Sequence, residues 1–333
     1  MAEAPERGLW ELADIVTPMA VRVAATLRLA DHIAAATDTA TRLAAATGTE
    51  LRALDSLLAH LASVGVFERL GDGRFGLTPR GEELRDAHPG GIRAVMDIEG
   101  PLGRADLAFL DLLGSVRTGE AAFPRQFGRP FWSDLASDAG RTAGYDAQMG
   151  RDVARWAPDI VEAYPWGEFE YVVDVGGGDG TLMAAILDAF PFLSGVVFDQ
   201  PTAAEAAGNR FADPRLGDRG SAVGGNFFDA LPPGADAYLL CAILHDWDDA
   251  SAVAILGRCA EAAGGSGRVF VIEKTGADGE SPSTSMGLRM LVYFGGHQRG
   301  VAELTGLARR AGLGTMAVHQ AGDLSVIELV PFP

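Results

Sequence analysis

Apolar and polar positions follow two different rhythms along the chain, and the change falls near residue 170. Upstream of it, apolar side chains recur mostly at the three- and four-residue spacing of amphipathic helices. The first such run covers residues 9–36 and contains Pro18, which is expected to interrupt it. Downstream, short β-branched runs alternate with helical stretches. This alternation predicts βαβ units and a parallel sheet.

The part of the chain before residue 91 predicts a small helical domain. A short helix is followed by a turn at Gly48, a longer helix over residues 50–63 and a hairpin that turns at the sequence GDG. This order is typical of a helix-turn-helix followed by a wing. Such a module could read DNA, with the helix at 50–63 as its recognition helix. That helix carries few basic residues, Arg52 within it and His60 later, so DNA binding is not expected.

Residues 91–165 are predicted to be mainly helical. Breaks are expected at four prolines: Pro101, Pro124, Pro130 and Pro158. The segment is also rich in aromatic side chains, namely Phe109, Phe127, Phe131, Trp132 and Trp156. Such aromatics can line a ligand cavity, although packing in a hydrophobic core is the commoner outcome for any one of them.

From residue 170 the predicted order of elements is that of a Rossmann-like α/β domain. Strands are predicted over YVVDV, GVVFD, SAVGG, DAYLLC and RVFVIE, and helices over residues 181–190, 203–211 and 249–263. A last helix over 301–311 precedes two runs, GTMAVHQ and LSVIELV, that predict a terminal antiparallel hairpin. The polar stretch 275–285 predicts a surface loop.

Composition narrows the class of protein. The chain has 333 residues, of which 48% are apolar, as is ordinary for a globular protein. No run of about 18 apolar residues occurs, so no membrane span is expected, and the start MAEAPERGLWEL lacks the pattern of a signal peptide. The two cysteines, Cys241 and Cys259, form no CxxC motif and fit a reduced cytoplasm. A formal net charge of −18 disfavours binding to nucleic acid.

The sequence YVVDVGGGDGT, residues 171–181, ends a predicted strand in a glycine-rich turn. It departs from the dinucleotide fingerprint GxGxxG because Thr181 stands at the third glycine position. Asp174 lies two positions before Gly176 and suits an ammonium group better than a pyrophosphate. At the end of the next strand, Asp199 can bind both hydroxyls of a ribose. These features indicate a ligand with a ribose, a positive charge and no phosphate, such as S-adenosylmethionine (SAM). A NAD or FAD site, or a turn without a ligand, is the alternative.

A second group of candidate residues follows the strand DAYLLC. Cys241 closes that strand, and His245 follows at the carboxyl end of the sheet, where α/β proteins bind ligands. A lone histidine at such a position is more often structural than catalytic. Asp246, Asp248 and Asp249 can form a solvated helix start, with one of the last two as N-cap. Metal binding by HDWDD is disfavoured because adjacent carboxylates point in different directions.

Six segments carry a resemblance to a known family: DVGGGDGT, FDQP, GNFF, LHDWDD, VIEK and LRMLVYFGGHQR. Over nearly its whole length the chain resembles the small-molecule O-methyltransferases of the caffeate and hydroxyindole type, and most of all the polyketide tailoring methyltransferases of actinobacteria. The resemblance implies methyl transfer from SAM to a phenolic hydroxyl of an aromatic natural product, with S-adenosylhomocysteine (SAH) as product and no metal. It also implies a winged-helix dimerisation domain over 1–90, a helical linker and substrate-pocket segment over 91–165, and a Rossmann-like SAM-binding catalytic domain over 166–333.

The resemblance further implies roles for individual residues. His245 is the expected general base, and Glu273, at the end of the strand RVFVIE, is the carboxylate that orients it. The expected SAM-binding residues are Asp174, Gly176, Gly178, Asp199, Gln200, Asn226, Phe227, Cys241 and Trp247. The expected acceptor-binding residues are Met149, Asp246, Arg289, Met290 and Phe294. The N-terminal domain is expected to pair two subunits and to help close the partner's pocket.

Three positions depart from the pattern of this family. Asn226 replaces the aspartate of GDFF, and its amide can still hydrogen-bond an adenine amine. Gly287 replaces the aspartate of DLRML, and Gln298 replaces a glutamate beside the base. These changes leave a SAM-binding hydroxylase or decarboxylase on the same fold as an alternative function. A winged-helix regulator and a pure interaction protein are further alternatives, but the latter does not explain His245 together with Glu273.

Overall fold

The computed structural model describes residues 8–332, which form two compact units. The first unit comprises the described residues up to Leu107 together with Gly140–Gly144. The second comprises Ala108–Ala139 together with the described residues from Tyr145 onward. Each unit contains its own hydrophobic core. The domain boundaries expected from the sequence stay predictions.

The first unit consists of helices and one small hairpin. Its elements are α1 (Leu9–Ala13), α2 (Val16–Thr26), α3 (Leu29–Ala34), α4 (Ala40–Thr47), α5 (Leu51–Ser63), β1 (Phe67–Arg69), β2 (Phe75–Leu77), α6 (Pro79–Glu82), α7 (Ile92–Met96) and α8 (Pro101–Asp106). Gly48 ends α4 with a φ of 67°, a conformation that favours glycine. The strands β1 and β2 pair antiparallel around the sequence GDG. The predicted order of helix, turn, helix and hairpin is confirmed.

The expected break of the first helical run at Pro18 is wrong. Pro18 lies in the first turn of α2, where a missing N–H forfeits no intrahelical hydrogen bond. The chain instead leaves the helical path at Asp14, which has extended backbone, and at Arg28, whose φ is 53°. The run 9–36 therefore holds three helices.

The second unit begins with a series of helices. They are α9 (Leu112–Thr118), α10 (Phe123–Phe127), α11 (Phe131–Ala136) and α12 (Ala139–Ala163), the last of which has its first turn in the first unit. Three of the four prolines expected to break this segment lie at helix starts. The break expected at Pro158 is wrong, because α12 continues through it. Ala157 and Ile160 are buried in the core, and this packing keeps the two halves of α12 in line.

The remaining elements form a seven-stranded sheet with flanking helices. They are β3 (Tyr171–Val175), α13 (Thr181–Ala189), β4 (Ser194–Asp199), α14 (Pro201–Phe211), β5 (Gly220–Gly224), β6 (Ala237–Cys241), α15 (Asp249–Ala263), β7 (Arg268–Lys274), α16 (Thr284–Phe294), α17 (Val301–Arg310), β8 (Leu313–Ala321) and β9 (Leu324–Pro331). The strand order is β5-β4-β3-β6-β7-β9-β8, with β3 to β7 parallel and β8 and β9 antiparallel. The α/β fold class and the terminal hairpin are confirmed.

Successive side chains along each strand point to opposite faces of the sheet, and this divides the hydrophobic core of the second unit into two layers. In β3, Val172 packs with α12, α13 and α14, whereas Val173 packs with α15 and α17 on the opposite face. From β3 the chain moves outward to β4 and β5 and then returns to β6 on the other side of β3. The switch point between β3 and β6 opens a crevice at the carboxyl ends of the strands, where such sheets bind ligands.

The helix α16 was not among the elements predicted from the sequence. Ser283 caps it by accepting a hydrogen bond from the Met286 N–H at 3.3 Å. The first residues of α16 belong to the polar stretch that predicted a surface loop. Within residues 8–332, no helix is both long enough and apolar enough to span a membrane.

Candidate functional site

The glycine-rich turn after β3 brings backbone into the crevice between β3 and β6. Gly176 has a φ of 76°, and a Cβ at this position would collide with the side chain of Ile243. Gly178 has a φ of 59°, and nothing lies within 4 Å of where its Cβ would be. Glycine is therefore required at Gly176 by both conformation and crowding, and at Gly178 by conformation.

Two aspartates lie beside this turn. Asp174 is 1% exposed, and neither of its carboxylate oxygens has a hydrogen-bond partner among the described residues. Burial, and next the charge of Asp199, raises the pKa of Asp174 to about 7. Asp199 ends β4 and accepts hydrogen bonds from the N–H groups of Gly178 at 2.8 Å and Gln200 at 2.6 Å. These two bonds hold the Asp199 carboxylate against the turn.

A histidine and a glutamate meet on the other side of the crevice. His245 lies in a short 3₁₀ turn (Leu244–Asp246) after β6, and Glu273 lies near the end of β7. The Nδ1 atom of His245 is 2.6 Å from Oε2 of Glu273. The other oxygen of Glu273 accepts the Leu244 N–H at 2.8 Å. Glu273 thus fixes both the imidazole ring and the turn that carries it.

The charges around His245 determine its proton affinity. Burial lowers the pKa of His245, but the charges of Glu273 and Asp246 and the hydrogen bond with Glu273 outweigh it and raise the pKa to about 9. Asp246 is buried, and its Oδ1 is 3.4 Å from Nε2 of His245. Burial raises the pKa of Asp246 to about 7, although the neighbouring histidine opposes this rise. With Nδ1 held by Glu273, Nε2 is the nitrogen left to exchange a proton with a ligand.

Arg299 is a site residue that the sequence analysis did not identify. Its side chain is 1% exposed and donates hydrogen bonds to the carbonyls of Leu244 and Trp247, both at 2.8 Å. It also pairs with Asp249 at 2.8 Å. Arg299 therefore ties down both ends of the turn that carries His245. The only available signal was its place at the end of LRMLVYFGGHQR.

Gly296, which follows the end of α16, supports the same turn. The sequence analysis did not identify it either. A Cβ there would meet the carbonyl group of His245 and lie 2.6 Å from the carbonyl carbon of Asp246. The neighbouring atoms are backbone, so they cannot rotate away as a side chain could. A glycine at this position lets the chain after α16 pack directly on the His245–Asp246 peptide.

The other residues expected to bind SAM lie at or after the carboxyl ends of β4, β5 and β6. Phe227 packs against Trp247, with ring centroids 5.8 Å apart. Cys241 ends β6, and burial, with the charges of Asp174 and Glu273, raises the pKa of its thiol. The side chain of Asn226 accepts the Phe228 N–H at 3.1 Å, so part of it is used in its own turn. Gln200 is exposed and begins α14 as its N-cap.

Four of the five residues expected to bind the acceptor lie on two helices of the second unit, and the fifth, Asp246, lies in the turn with His245. Met149 is half-buried on α12, while Arg289, Met290 and Phe294 lie on α16. Phe294 belongs to a cluster of aromatic side chains. It stacks on Trp132, with centroids 5.3 Å apart and planes at 9°, and meets Phe131 edge-on at 5.0 Å.

Two of the departures from the family pattern lie next to each other. A Cβ at Gly287 would be 4.0 Å from Cβ of Gln298. Both positions have thus lost a carboxylate in the same small region.

Among residues 8–332, no group of three or more His, Cys, Asp or Glu side chains is arranged to hold a metal ion.

Comparison with known proteins identifies the family. A model described as an O-methyltransferase domain matches residues 109–314, and one described as an O-methyltransferase dimerisation domain matches residues 10–85. The chain belongs to the O-methyltransferase family. The enzyme class and the family predicted from the sequence are therefore confirmed. The match to a dimerisation domain indicates that this methyltransferase forms a homodimer.

Individual relatives cover almost the whole methyltransferase. It is 51% identical to 2,7-dihydroxy-5-methyl-1-naphthoate 7-O-methyltransferase of Streptomyces carzinostaticus, over 97% of each chain. It is 41% identical to aclacinomycin 10-hydroxylase of Streptomyces purpurascens, over 96% of this chain and 89% of that protein. Among solved structures, it matches an O-methyltransferase from neocarzinostatin biosynthesis in complex with SAM and 2-hydroxy-5-methyl naphthoic acid. That match has a TM-score of 0.94 and 50% identity and covers 99% of this chain and 100% of the other.

Proposed function

We propose that this methyltransferase transfers a methyl group from SAM to a phenolic hydroxyl of a fused-ring aromatic acid of the hydroxynaphthoate class. The observation that carries the proposal is the pairing of His245 with Glu273 across the crevice from an unpartnered, buried Asp174. The donor and the acceptor class are supported by the relative that acts on a dihydroxynaphthoate and by the related structure that holds SAM and a hydroxynaphthoic acid.

The residues at the glycine turn fit SAM. A buried carboxylate without a hydrogen-bond partner is costly, and an ammonium or sulfonium group would relieve that cost at Asp174. Gly178 leaves space for a ligand to approach the backbone, since nothing lies within 4 Å of where its Cβ would be. Asp199 keeps lone pairs for ribose hydroxyls while the turn holds it in place. When bound, SAM supplies an electrophilic methyl group on a positively charged sulfur.

His245 provides the proton acceptor for the reaction. A phenol has a pKa of about 10 and is mostly protonated at neutral pH. The pKa of His245, about 9, is close to this value, so the neutral imidazole can take the proton at Nε2 at little cost in free energy, and the fraction in this form grows as the pH rises toward 9. Glu273 holds the ring in the required tautomer and stabilises the imidazolium that forms. Arg299 keeps the turn in place from the opposite side.

The acceptor is bound by the remaining candidates from the sequence. Phe294 and Met290, with the half-buried Met149, offer apolar surface for a flat ring system. Arg289 can pair with a carboxylate on the acceptor, a group that the dihydroxynaphthoate of the 51% identical relative carries. Asp246 lies next to Nε2 of His245 and can accept a hydrogen bond from a second polar group of the acceptor.

A second copy of the chain is the protein partner. Large apolar side chains are exposed at the start of the first unit: Leu9, Trp10, Leu12, Ile15 and Val16. Exposed apolar groups in a dimerisation domain support pairing of two copies there and a contribution to the partner's pocket. The net charge of −18 disfavours nucleic acid as a partner. Light scattering of the full-length protein should give twice the chain mass; a stable monomer would contradict the pairing.

The proposed function is tested by ligand binding followed by product analysis. In calorimetric titrations we expect SAM to bind at one site per chain and NAD⁺ not to bind. With 2,7-dihydroxy-5-methyl-1-naphthoate as acceptor, we expect a monomethylated product and one SAH per turnover. A product heavier by an oxygen atom, with SAM left intact, would instead support hydroxylation. That outcome is included because the 41% identical relative is named as a hydroxylase. Binding of NAD⁺ in place of SAM would refute the assignment of the glycine turn to a SAM site.

A further inference from the structure

The helix α12 presents one more carboxylate to the glycine turn, that of Asp146. Gly150 lies one helical turn after Asp146, on the same face of the helix. A Cβ at Gly150 would lie 2.8 Å from Oδ2 of Asp179, so this face of α12 lies directly against the turn. Asp199 and Asp179 are the charged groups that act on Asp146. Asp146 therefore faces the same crevice as Asp174 and Asp199.

No described lysine, arginine or histidine forms an ion pair with Asp146, Asp174 or Asp199, which together we call the carboxylate cluster. The nearby Asp179 differs, because Arg210 pairs with its carboxylate and donates to its carbonyl at 2.8 Å. On α12, Arg151 donates a hydrogen bond to the neutral side chain of Gln148 at 2.5 Å, and its Nε has no hydrogen-bond partner among the described residues. The cluster thus concentrates negative charge that the protein leaves uncompensated.

Two further titratable side chains near the cluster do not neutralise this charge. They are the thiol of Cys241 on β6 and the phenol of Tyr145 on α12. Burial is the main cause that raises the pKa of each group, and the charges of nearby carboxylates raise it further. Both groups therefore stay neutral. Burial, and then the charges of Asp199 and Asp179, raises the pKa of Asp146 to about 6. Together with the raised pKa of Asp174, this means that the cluster is partly protonated near pH 6.5 and that a cationic ligand would displace protons from it.

We propose that Asp146 completes a carboxylate cluster that selects the cationic methyl donor over the reaction product, which carries one positive charge less. SAM carries one more positive charge than SAH, because its sulfur is a sulfonium and that of SAH is a thioether. Methyl transfer removes this charge while the three carboxylates remain. The attraction that favours the donor therefore disappears in the step that forms the product, and product release becomes easier. This inference rests on the proposed function, since it assumes that SAM is the donor.

The proposal is tested by calorimetric titration of the full-length protein with SAM and, separately, with SAH. For Asp146→Asn we expect the ratio of the Kd for SAH to the Kd for SAM to fall by about tenfold, mostly through weaker SAM binding. The matched control is Glu162→Gln, which removes the same charge from an exposed position further along α12 and should leave the ratio unchanged. In buffers of different ionisation enthalpy at about pH 6.5, SAM should release more protons from the wild type than from Asp146→Asn.

The outcomes separate this inference from the proposed function. An unchanged ratio in Asp146→Asn, with SAM still bound by the wild type, would overturn the role of Asp146 and leave the methyltransferase function intact. Equally weakened binding of SAM and SAH by Asp146→Asn would also overturn it. That result would indicate a change in the shape of the site and not the loss of a charge that distinguishes SAM from SAH. Failure of the wild type to bind SAM would instead overturn the proposed function itself.

Discussion

Replacing His245 with glutamine should lower kcat by about a hundred- to ten-thousandfold, the usual contribution of a positioned general base. Glutamine keeps similar size and polarity but cannot accept a proton at neutral pH. The Kd for SAM should change little, because His245 lies on the β6–β7 side of the crevice and the glycine turn follows β3. Some activity should remain, since holding the acceptor and donor in line contributes independently of the base.

The pH dependence of the wild type and of His245→Gln gives a sharper test. The pKa of His245 is raised to about 9, so the fraction in the base form grows as pH rises toward that value. For the wild type, kcat/KM should therefore rise about tenfold per pH unit between about pH 6 and 8 and level near pH 9. In His245→Gln the rise should follow ionisation of the phenol itself, near pH 10. The deficit of the variant should shrink at high pH.

The matched control for this experiment is His32→Gln, which removes a histidine from α3 in the first unit. Its kcat and pH profile should equal those of the wild type. If His245→Gln showed wild-type rates over the whole pH range, His245 would not be the base. The 2.6 Å contact with Glu273 would then be structural.

Gly296→Ala should lower kcat by about a hundredfold, although the substitution adds a single methyl group. The new Cβ would overlap the His245–Asp246 peptide, with the Asp246 carbonyl carbon 2.6 Å away and the carbonyl oxygen 2.9 Å away. Because these neighbours are backbone atoms, the clash must displace the turn that carries His245. A displacement of about 1 Å at a catalytic group can cost about a hundredfold in rate.

The matched control is Gly257→Ala in α15, where nothing lies within 4 Å of the position of the new Cβ. We expect wild-type kcat there and a gain of about 0.5–1 kcal/mol in the free energy of unfolding, since alanine favours a helix over glycine. The Tm and the Kd for SAM should be measured for both variants. Wild-type kcat in Gly296→Ala would show that the turn is not held in place by the close approach of α16. A retained Tm and Kd with reduced kcat would support displacement of His245.

Features that depend on one or two neighbouring helices or strands could be predicted from the sequence. The β-branched runs and the helices between them predicted the parallel strands, because a strand or helix depends mainly on its own pattern of apolar positions. The glycine turn and Asp199 lie at the ends of successive strands, so parallel pairing necessarily brings them to the same edge. The wrong breaks at Pro18 and Pro158 show the limit of such local rules. A proline costs nothing in a first turn, and core packing can hold a helix together across one.

The family resemblance implied that Glu273 orients His245, but only the tertiary structure showed their geometry and the other groups around His245. Glu273 is separated from His245 by 28 positions, and the distance of 2.6 Å depends on the register of β6 against β7. Arg299 and Gly296 approach the same turn from the end of α16, and no local pattern relates them to it. Sequence motifs thus determined the fold, the family and the residue types that carry the chemistry of the protein. The proton affinity of His245 was decided only by folding, because it depends on burial and on charges that distant segments bring together.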